Sequence, residues 1–156
     1  MELAPDEGTA QWLADNRTPH GALRSWFVRQ LAEYVSIYDA HGLTGSYPMH
    51  LLSTAQFTRL LGDGHDRLLD VGAGGGYVTA QAAPLFRTVT CTETSAPLAR
   101  RLGRRGYALA APELTGIAPG SFDVITCLNV LDRTRRPKSL LRTLHASCTS
   151  DTKLLV

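Results

Sequence analysis

The sequence predicts an α/β fold with a doubly wound, mainly parallel sheet, preceded by an N-terminal helical segment. The second half of the chain alternates short apolar stretches, typical of buried strands, with helical stretches and short connections. The first of these apolar stretches runs into a glycine-rich turn at residues 72–76, which a helix follows. The chain has 156 residues, 44% of them hydrophobic and 19% charged, which indicates one globular domain rather than a disordered segment.

The N-terminal part is predicted to contain one long helix. Apolar residues recur at helical spacing over residues 22–38, among them Leu23, Trp26 and Phe27, so we expect this face to cover a neighbouring core. Residues 39–48 contain two glycines and a proline, which predicts a loop.

A further helix precedes the first strand. Ser53 and Gln56 match a capping box, in which each side chain accepts a backbone N–H of the other residue, and the helix is predicted to end at Gly62. We therefore expect residues 1–52 to form a helical segment that packs on a core of residues 53–156.

After that helix, the core is predicted to contain five strands and three further helices. The strands are expected at residues 67–72, 88–93, 107–111, 122–129 and 153–156, and the helices at residues 77–85, 95–105 and 138–146. A parallel sheet of this kind has the order 3-2-1-4-5, which brings the fourth strand beside the first. The fifth strand coincides with the end of the chain, so we expect the last strands of the fold to be missing.

Charge and hydropathy argue against two classes of partner. A net charge of +2 is too small to predict nucleic-acid binding, and the arginine clusters at residues 100–105 and 133–138 are interpreted as solvated surface, with a phosphate-binding patch as the alternative. No apolar run approaches the ~20 residues of a membrane helix. The acidic N-terminus does not resemble a signal peptide, so a cytoplasmic location is expected.

The cysteines do not predict a metal site or a disulfide. Cys91 and Cys127 lie within predicted apolar strands, where a reduced cysteine acts as a small hydrophobic residue, and the chain has no C-x-x-C pair.

The glycine-rich turn is the first candidate for a binding site. Asp70, Gly72, Gly74 and Gly76 follow one another at alternate positions after the first strand, where glycine lets a ligand approach main-chain N–H groups. Glu93 ends the second strand, at about the ~20-residue separation expected of an acid that binds ribose hydroxyls. The turn and this acid together predict a nucleoside-containing cofactor.

The spacing distinguishes two such cofactors. A dinucleotide fingerprint counted from Gly72 requires its third glycine where Tyr77 stands, so that match fails. Asp70 would repel a pyrophosphate but can support the ammonium and sulfonium of S-adenosylmethionine. The D-x-G-x-G-x-G pattern resembles the first motif of the Rossmann-like class I methyltransferases.

Three further residues are predicted to contact this cofactor. Thr94 follows Glu93 at the end of the second strand, and Pro112 and Glu113 follow the third strand, where the adenine is expected.

A polar pair follows the fourth strand. Asn129 and Asp132 stand among apolar residues where the carboxyl end of this strand should face the reactive part of the cofactor. The alternative is structural: Asn129 caps a turn, and Asp132 pairs with Arg133 or Arg136.

Three segments resemble the DREV family, the methyltransferase-like 9 proteins. They are "CLNVLDR", "RLLDVGAGGGYVT" and "DAHGLTGS…STAQFTRLL", and the similarity covers residues 26–144. The resemblance implies transfer of a methyl group from S-adenosylmethionine to Nδ1 of protein histidines in His-x-His motifs, without a metal and with S-adenosylhomocysteine as product. It also implies that Asn129, which would orient the target ring or the cofactor, and Asp132 engage the imidazole. The chain departs from the family at Gly75 and Tyr77, where acidic residues are usual.

Two other functions remain open. One is a class I methyltransferase acting on a small molecule or on RNA, to which Tyr47 and the basic cluster at residues 133–138 point weakly. The other is a truncated module that binds the cofactor without catalysis. The oligomeric state is not predicted.

Overall fold

A computed structural model describes residues 5–16, 21–44 and 49–156. The strands among these residues are β1 (Arg67–Val71), β2 (Thr88–Thr92), β3 (Ala108–Leu109), β4 (Val124–Thr126) and β5 (Lys153–Leu155). The α-helices are α1 (Glu7–Asp15), α2 (Ala22–Leu31), α3 (Ile37–Thr44), α4 (Thr54–Leu61), α5 (Tyr77–Ala82), α6 (Ala96–Arg104) and α7 (Pro137–Ser147).

The described strands form one parallel sheet in the order β3-β2-β1-β4-β5. This confirms the predicted fold class and strand order. None of the described helices has the length and apolar character needed to cross a bilayer.

Helices cover both faces of the sheet because β1 and β4 are apolar on both faces. Leu69 and Ile125 pack with Leu144 of α7 on one face. Leu68 and Val124 point the other way and join the cluster that α4 and α5 contribute to. Strands buried on both sides are rich in apolar residues, which is why the sequence predicted the presence of both strands.

The amino end of the sheet is fixed by one carboxylate. Asp123 Oδ2 accepts the N–H groups of Asp66 and Arg67, both at 2.8 Å, and Asp123 Oδ1 lies 2.9 Å from the Arg67 guanidinium. The hydrogen bond from Arg67 is the main reason that the pKa of Asp123 lies below its ordinary value. These contacts hold β4 in register with β1.

The predicted helix over residues 22–38 is wrong as a single element. The helix ends at Leu31, residues 32–35 form a turn, and α3 begins at Ile37. Ser36 caps the start of the second helix, because its hydroxyl accepts the N–H of Asp39 at 3.1 Å.

The predicted loop at residues 39–48 is wrong as far as residue 44, since α3 extends to Thr44; residues 45–48 lie outside the described residues. The apolar face predicted to be covered is largely exposed, with Leu23 78% and Trp26 54% accessible, whereas Val28 and Ala40 are buried.

The fourth strand is shorter than predicted. β4 ends at Thr126, and the backbone turns at Asn129, which adopts a left-handed conformation with φ of 58°. Asparagine tolerates this conformation better than most residues. The turn carries the following residues away from the sheet instead of extending the strand.

Candidate active site

A cleft of about 420 Å³ lies at the carboxyl ends of β1, β2 and β4, beside the point where the strand order reverses. Its lining consists of Val71, Gly72, Gly74, Thr92, Glu93, Thr94, Leu98, Pro112, Asn129, Val130, Arg133, Thr134 and Leu140. Ligands of doubly wound sheets bind at such a position. Six of the sequence-predicted site residues are therefore brought together here.

A smaller recess of about 120 Å³ shares part of this lining. Gly72, Gly74, Asn129 and Arg133 contribute to both cavities. The recess adds Met49, Asp70, Ala73, Gly75, Tyr77, Val78 and Leu128. The two cavities give the site a larger and a smaller compartment on either side of the glycine turn.

The glycine turn is held against β2 and β4 at close range. Gly72 has φ of +72°, and its N–H donates to Thr92 Oγ1 at 3.1 Å. A Cβ at Gly72 would lie 2.7 Å from Val130 Cγ2, closer than packed atoms come. Only glycine fits both the conformation and the space. Gly76 stands at the start of α5 and is outside the lining of either cavity.

Glu93 connects the turn to the next helix. Its Oε2 accepts the Gly74 N–H at 2.8 Å, and its Oε1 accepts the Ser95 N–H at 2.8 Å and the Thr94 hydroxyl at 3.3 Å. The carboxylate is thereby fixed at the wall of the cleft, where it can accept further hydrogen bonds from a ligand.

Asp70 lies beneath the turn rather than in the larger cleft. It is buried, its Oδ2 accepts the Thr79 hydroxyl at 2.5 Å, and its Oδ1 accepts the Thr126 hydroxyl at 2.8 Å. Burial raises the pKa of Asp70, and the two hydroxyls oppose that rise. The carboxyl ties β1 to α5 and β4 and faces the smaller recess.

The polar pair after β4 occupies two different environments. Asn129 lines both cavities, and its amide donates to Met49 Sδ at 3.5 Å. Asp132 stands outside the described lining; its side chain is 67% exposed, and its Oδ2 lies 3.7 Å from Arg133 Nε. The ion pair named above as the structural alternative is thus present.

Arg133 is a cleft residue that the sequence reasoning missed. It lines both cavities although it directly follows Asp132 in the quoted motif. The tight turn explains this, because the N–H groups of Arg133 and Thr134 both donate to the Val130 carbonyl and the chain folds back on itself. Thr134 reaches the cleft for the same reason, whereas Leu140 reaches it from α7, and neither residue carries a sequence signal.

One further predicted residue, Glu113, lies outside the lining of the cleft. Its neighbour Pro112 lines the cleft. Tyr47, considered as a stacking residue for RNA, lies outside the described residues.

Tyr77 has a packing role that an acid would not have. The guanidinium carbons of Arg101 and Arg105 lie 5.6 and 5.2 Å from its ring centroid. Both contacts are cation–π interactions between α6 and the start of α5.

No group of three or more histidine, cysteine, aspartate or glutamate side chains that could hold a metal occurs in the described part of the chain. Cys91 is buried in the sheet, and burial raises the pKa of its thiol to about 12. Cys91 therefore fits the core position that the sequence predicted for it.

Comparison with known proteins identifies one family and several methyltransferases. The sequence model of a family described as DREV methyltransferase matches residues 1–156. The mitochondrial ubiquinone biosynthesis O-methyltransferase of Schizosaccharomyces pombe is 31% identical over 87 residues, covering 48% of this chain and 31% of that protein. The ubiquinone biosynthesis O-methyltransferase of Xanthomonas euvesicatoria pv. vesicatoria is 28% identical over 144 residues, covering 81% and 59%.

Among solved structures, the trans-methyltransferase CalH in complex with S-adenosylhomocysteine has a TM-score of 0.57 at 20% identity, over 81% of this chain and 41% of that one. This likeness is one of fold. The chain spans about a third of the length of the first curated relative that it matches.

Proposed function

This chain belongs to the DREV methyltransferase family, and we propose that it transfers a methyl group from S-adenosylmethionine to Nδ1 of protein histidines in His-x-His motifs. The observation that carries this proposal is the match of the family over residues 1–156. The Rossmann-like class I fold and the position of the cleft are consistent with it.

The residues of the cleft fit S-adenosylmethionine. No heavy atom lies within 4 Å of the place where a Cβ on Gly74 would stand, so the backbone of the turn is open to a ligand. Glu93 supplies a fixed acceptor suited to ribose hydroxyls, and Leu98 and Pro112 supply apolar surface suited to adenine. Asp70 faces the recess, and its ionised carboxylate would suit the cationic methionine end.

The cofactor supplies a methyl group activated by its bond to a sulfonium. The protein has to present a neutral imidazole with the Nδ1 lone pair free and aimed at that carbon. We assign to Asp132 the acceptance of the Nε2–H, which fixes this tautomer and stabilises the positive charge that the ring gains. Asn129 lies at the junction of the two cavities and orients the ring or the cofactor.

The present contact of Asp132 does not oppose this role. An exposed ion pair such as that with Arg133 contributes about 0–1 kcal/mol. Replacing the contact of Asp132 with Arg133 by a hydrogen bond from an imidazole N–H therefore costs little free energy. Because Asp132 and Arg133 lie in one tight turn, the arginine remains near the carboxylate after the exchange.

The test is methyl transfer to a His-Ala-His peptide from labelled S-adenosylmethionine, with the modified nitrogen identified by NMR. We expect label on Nδ1 and loss of most transfer in Asp132→Asn, because an amide cannot offset the charge that develops on the ring. The matched control is Asp151→Asn, which neutralises an exposed carboxylate before β5. Absence of label, or an unimpaired Asp132→Asn variant, would contradict the proposal.

Methylation of a small-molecule hydroxyl is the second candidate. It is favoured by the two curated relatives, both described as ubiquinone biosynthesis O-methyltransferases. The same assay with a phenol in place of the peptide separates the two, since the product is an ether rather than a methylated ring nitrogen. A module that only binds the cofactor, the third possibility, would bind S-adenosylhomocysteine and label neither acceptor.

A further inference from the structure

The N-terminal helical segment is linked to the cleft by one carboxylate. Asp39 lies in the first turn of α3, and its Oδ1 accepts the hydroxyl of Ser95 at 2.5 Å, across 56 positions of sequence. Its Oδ2 accepts the Ser36 hydroxyl at 2.8 Å. The bonds from Ser95 and then from Ser36 hold the pKa of Asp39 below its ordinary value, so both are charge-assisted at neutral pH.

The same serine is bonded to the wall of the cleft. Ser95 is buried, and its N–H donates to Glu93 Oε1 at 2.8 Å. Glu93 Oε2 accepts the Gly74 N–H at 2.8 Å. A continuous series of hydrogen bonds thus runs from α3 through Ser95 and Glu93 to the glycine turn.

The Ser95 hydroxyl is both a donor and an acceptor in this series of hydrogen bonds. A hydroxyl has a single proton, and here it is donated to Asp39. The oxygen lone pairs then face the Leu98 N–H, at 3.4 Å, so Ser95 caps α6. The backbone N–H that Glu93 accepts belongs to the same residue, so anchoring Ser95 to α3 and to the start of α6 also limits the movement of this donor.

We propose that Asp39 is a positioning residue that holds Glu93 in its binding orientation, so that the N-terminal helical segment tunes ligand affinity in the cleft. This inference rests on the proposed function, because it assigns Glu93 to cofactor binding. Asp39 acts through Ser95 and does not itself line the described cleft. A purely structural contact between α3 and α6 would affect stability without affecting affinity.

The proposal is tested on four proteins, namely the chain itself, Asp39→Ala, Asp39→Asn and Glu33→Ala. The midpoint of thermal unfolding gives the stability of each. Calorimetry with S-adenosylhomocysteine gives the affinity, and hydrogen exchange without ligand gives the protection of the Gly74 and Ser95 amides. Glu33→Ala is the matched control, since it removes an exposed acid from the same segment.

We expect Asp39→Ala to weaken binding about two- to tenfold, the range for the loss of one hydrogen bond. Exchange at both amides should be faster in this variant. Asp39→Asn should lie between it and the unchanged chain, because its amide oxygen accepts without charge, and Glu33→Ala should change neither quantity.

Unchanged affinity in Asp39→Ala, with a lowered midpoint of thermal unfolding, would overturn the proposal and leave a structural contact. If Asp39→Ala does not fold, the comparison of Asp39→Asn with Glu33→Ala decides by the same criteria. If even the unchanged chain fails to bind S-adenosylhomocysteine, the proposed function is wrong, whereas exchange at Gly74 and Ser95 still decides whether Asp39 orders Glu93.

Discussion

Replacing Gly72 by alanine should lower the free energy of unfolding by about 2–5 kcal/mol. The first contribution is conformational: at φ of +72° a residue with a Cβ is destabilised by about 1–2 kcal/mol. The second is steric: the new Cβ would lie 2.7 Å from Val130 Cγ2, and overpacking of this kind costs about 1–3 kcal/mol. Because the overlap joins the glycine turn to the residues after β4, its relief has to displace one wall of the cleft.

Gly74→Ala is the matched control for this prediction. Gly74 has φ of +57°, so its substitution carries a similar conformational penalty, but no heavy atom lies within 4 Å of the new Cβ. Its loss of stability should be about 1–2 kcal/mol. Val130→Ala should rescue Gly72→Ala in part, because it removes the two methyl carbons at 2.7 and 3.5 Å and leaves the Cβ at 3.7 Å.

Urea unfolding followed by circular dichroism supplies the free energies of unfolding. The unchanged chain, Gly72→Ala, Val130→Ala and the double variant form a double-mutant cycle. The reasoning is refuted if Gly72→Ala is no less stable than Gly74→Ala. It is equally refuted if Val130→Ala lowers stability by the same amount in the presence and absence of the alanine at position 72.

Three further predictions concern carboxylates. Glu93→Ala should weaken binding of S-adenosylhomocysteine about tenfold or more in calorimetry, because hydrogen bonds to a charged acceptor contribute about 1.5–3 kcal/mol. Unchanged affinity would contradict the assignment of Glu93 to the binding site. The hydrogen bond from Arg67 lowers the folded pKa of Asp123, so its stabilisation is present above about pH 4 and lost as the pH falls through the folded value. The stability difference between the unchanged chain and Asp123→Asn, from urea unfolding at several pH values, should therefore shrink in acid. Burial raises the folded pKa of Asp70, so the native state binds more protons than the unfolded state and the pH dependence has the opposite sign. Between about pH 4 and the folded pKa, rising pH should lower the stability of the unchanged chain relative to that of Asp70→Asn.

The sheet was predictable because its sequence signals are local. Leu68 and Leu69 are both fully buried on opposite faces of β1, so a short apolar stretch that is interrupted by Asp70 and followed by glycines indicates the strand without reference to the rest of the chain. The strand order then follows from the parallel fold class rather than from any residue.

The N-terminal segment was less predictable because hydrophobic periodicity measures how a helix could pack, not how it does. Tyr34 and Ile37 continue the apolar pattern of α2, yet they are 84% and 46% exposed. After the turn at residues 32–35, Ser36 caps the start of a new helix within that pattern. Asp39 was likewise assigned to a loop, since its partner Ser95 lies far away in sequence and no local pattern reveals the contact.

The two sides of the candidate site differ in what determines their structure, and this difference decides what a sequence can reveal about them. The cofactor side consists of backbone groups and fixed acceptors, such as the Gly74 N–H and Glu93, and a pattern of residue types specifies it because few other residues fit. The opposite side consists of exposed side chains in a tight turn, among them Asp132 and Arg133, joined by a contact of 3.7 Å that many rotamers would satisfy. Such groups rearrange at little energetic cost, so their arrangement depends on the acceptor that is bound. Under the proposed function, the glycine turn therefore does not distinguish an imidazole acceptor from a hydroxyl, and the acceptor has to be identified by assays of variants in the turn that carries Asp132 and Arg133.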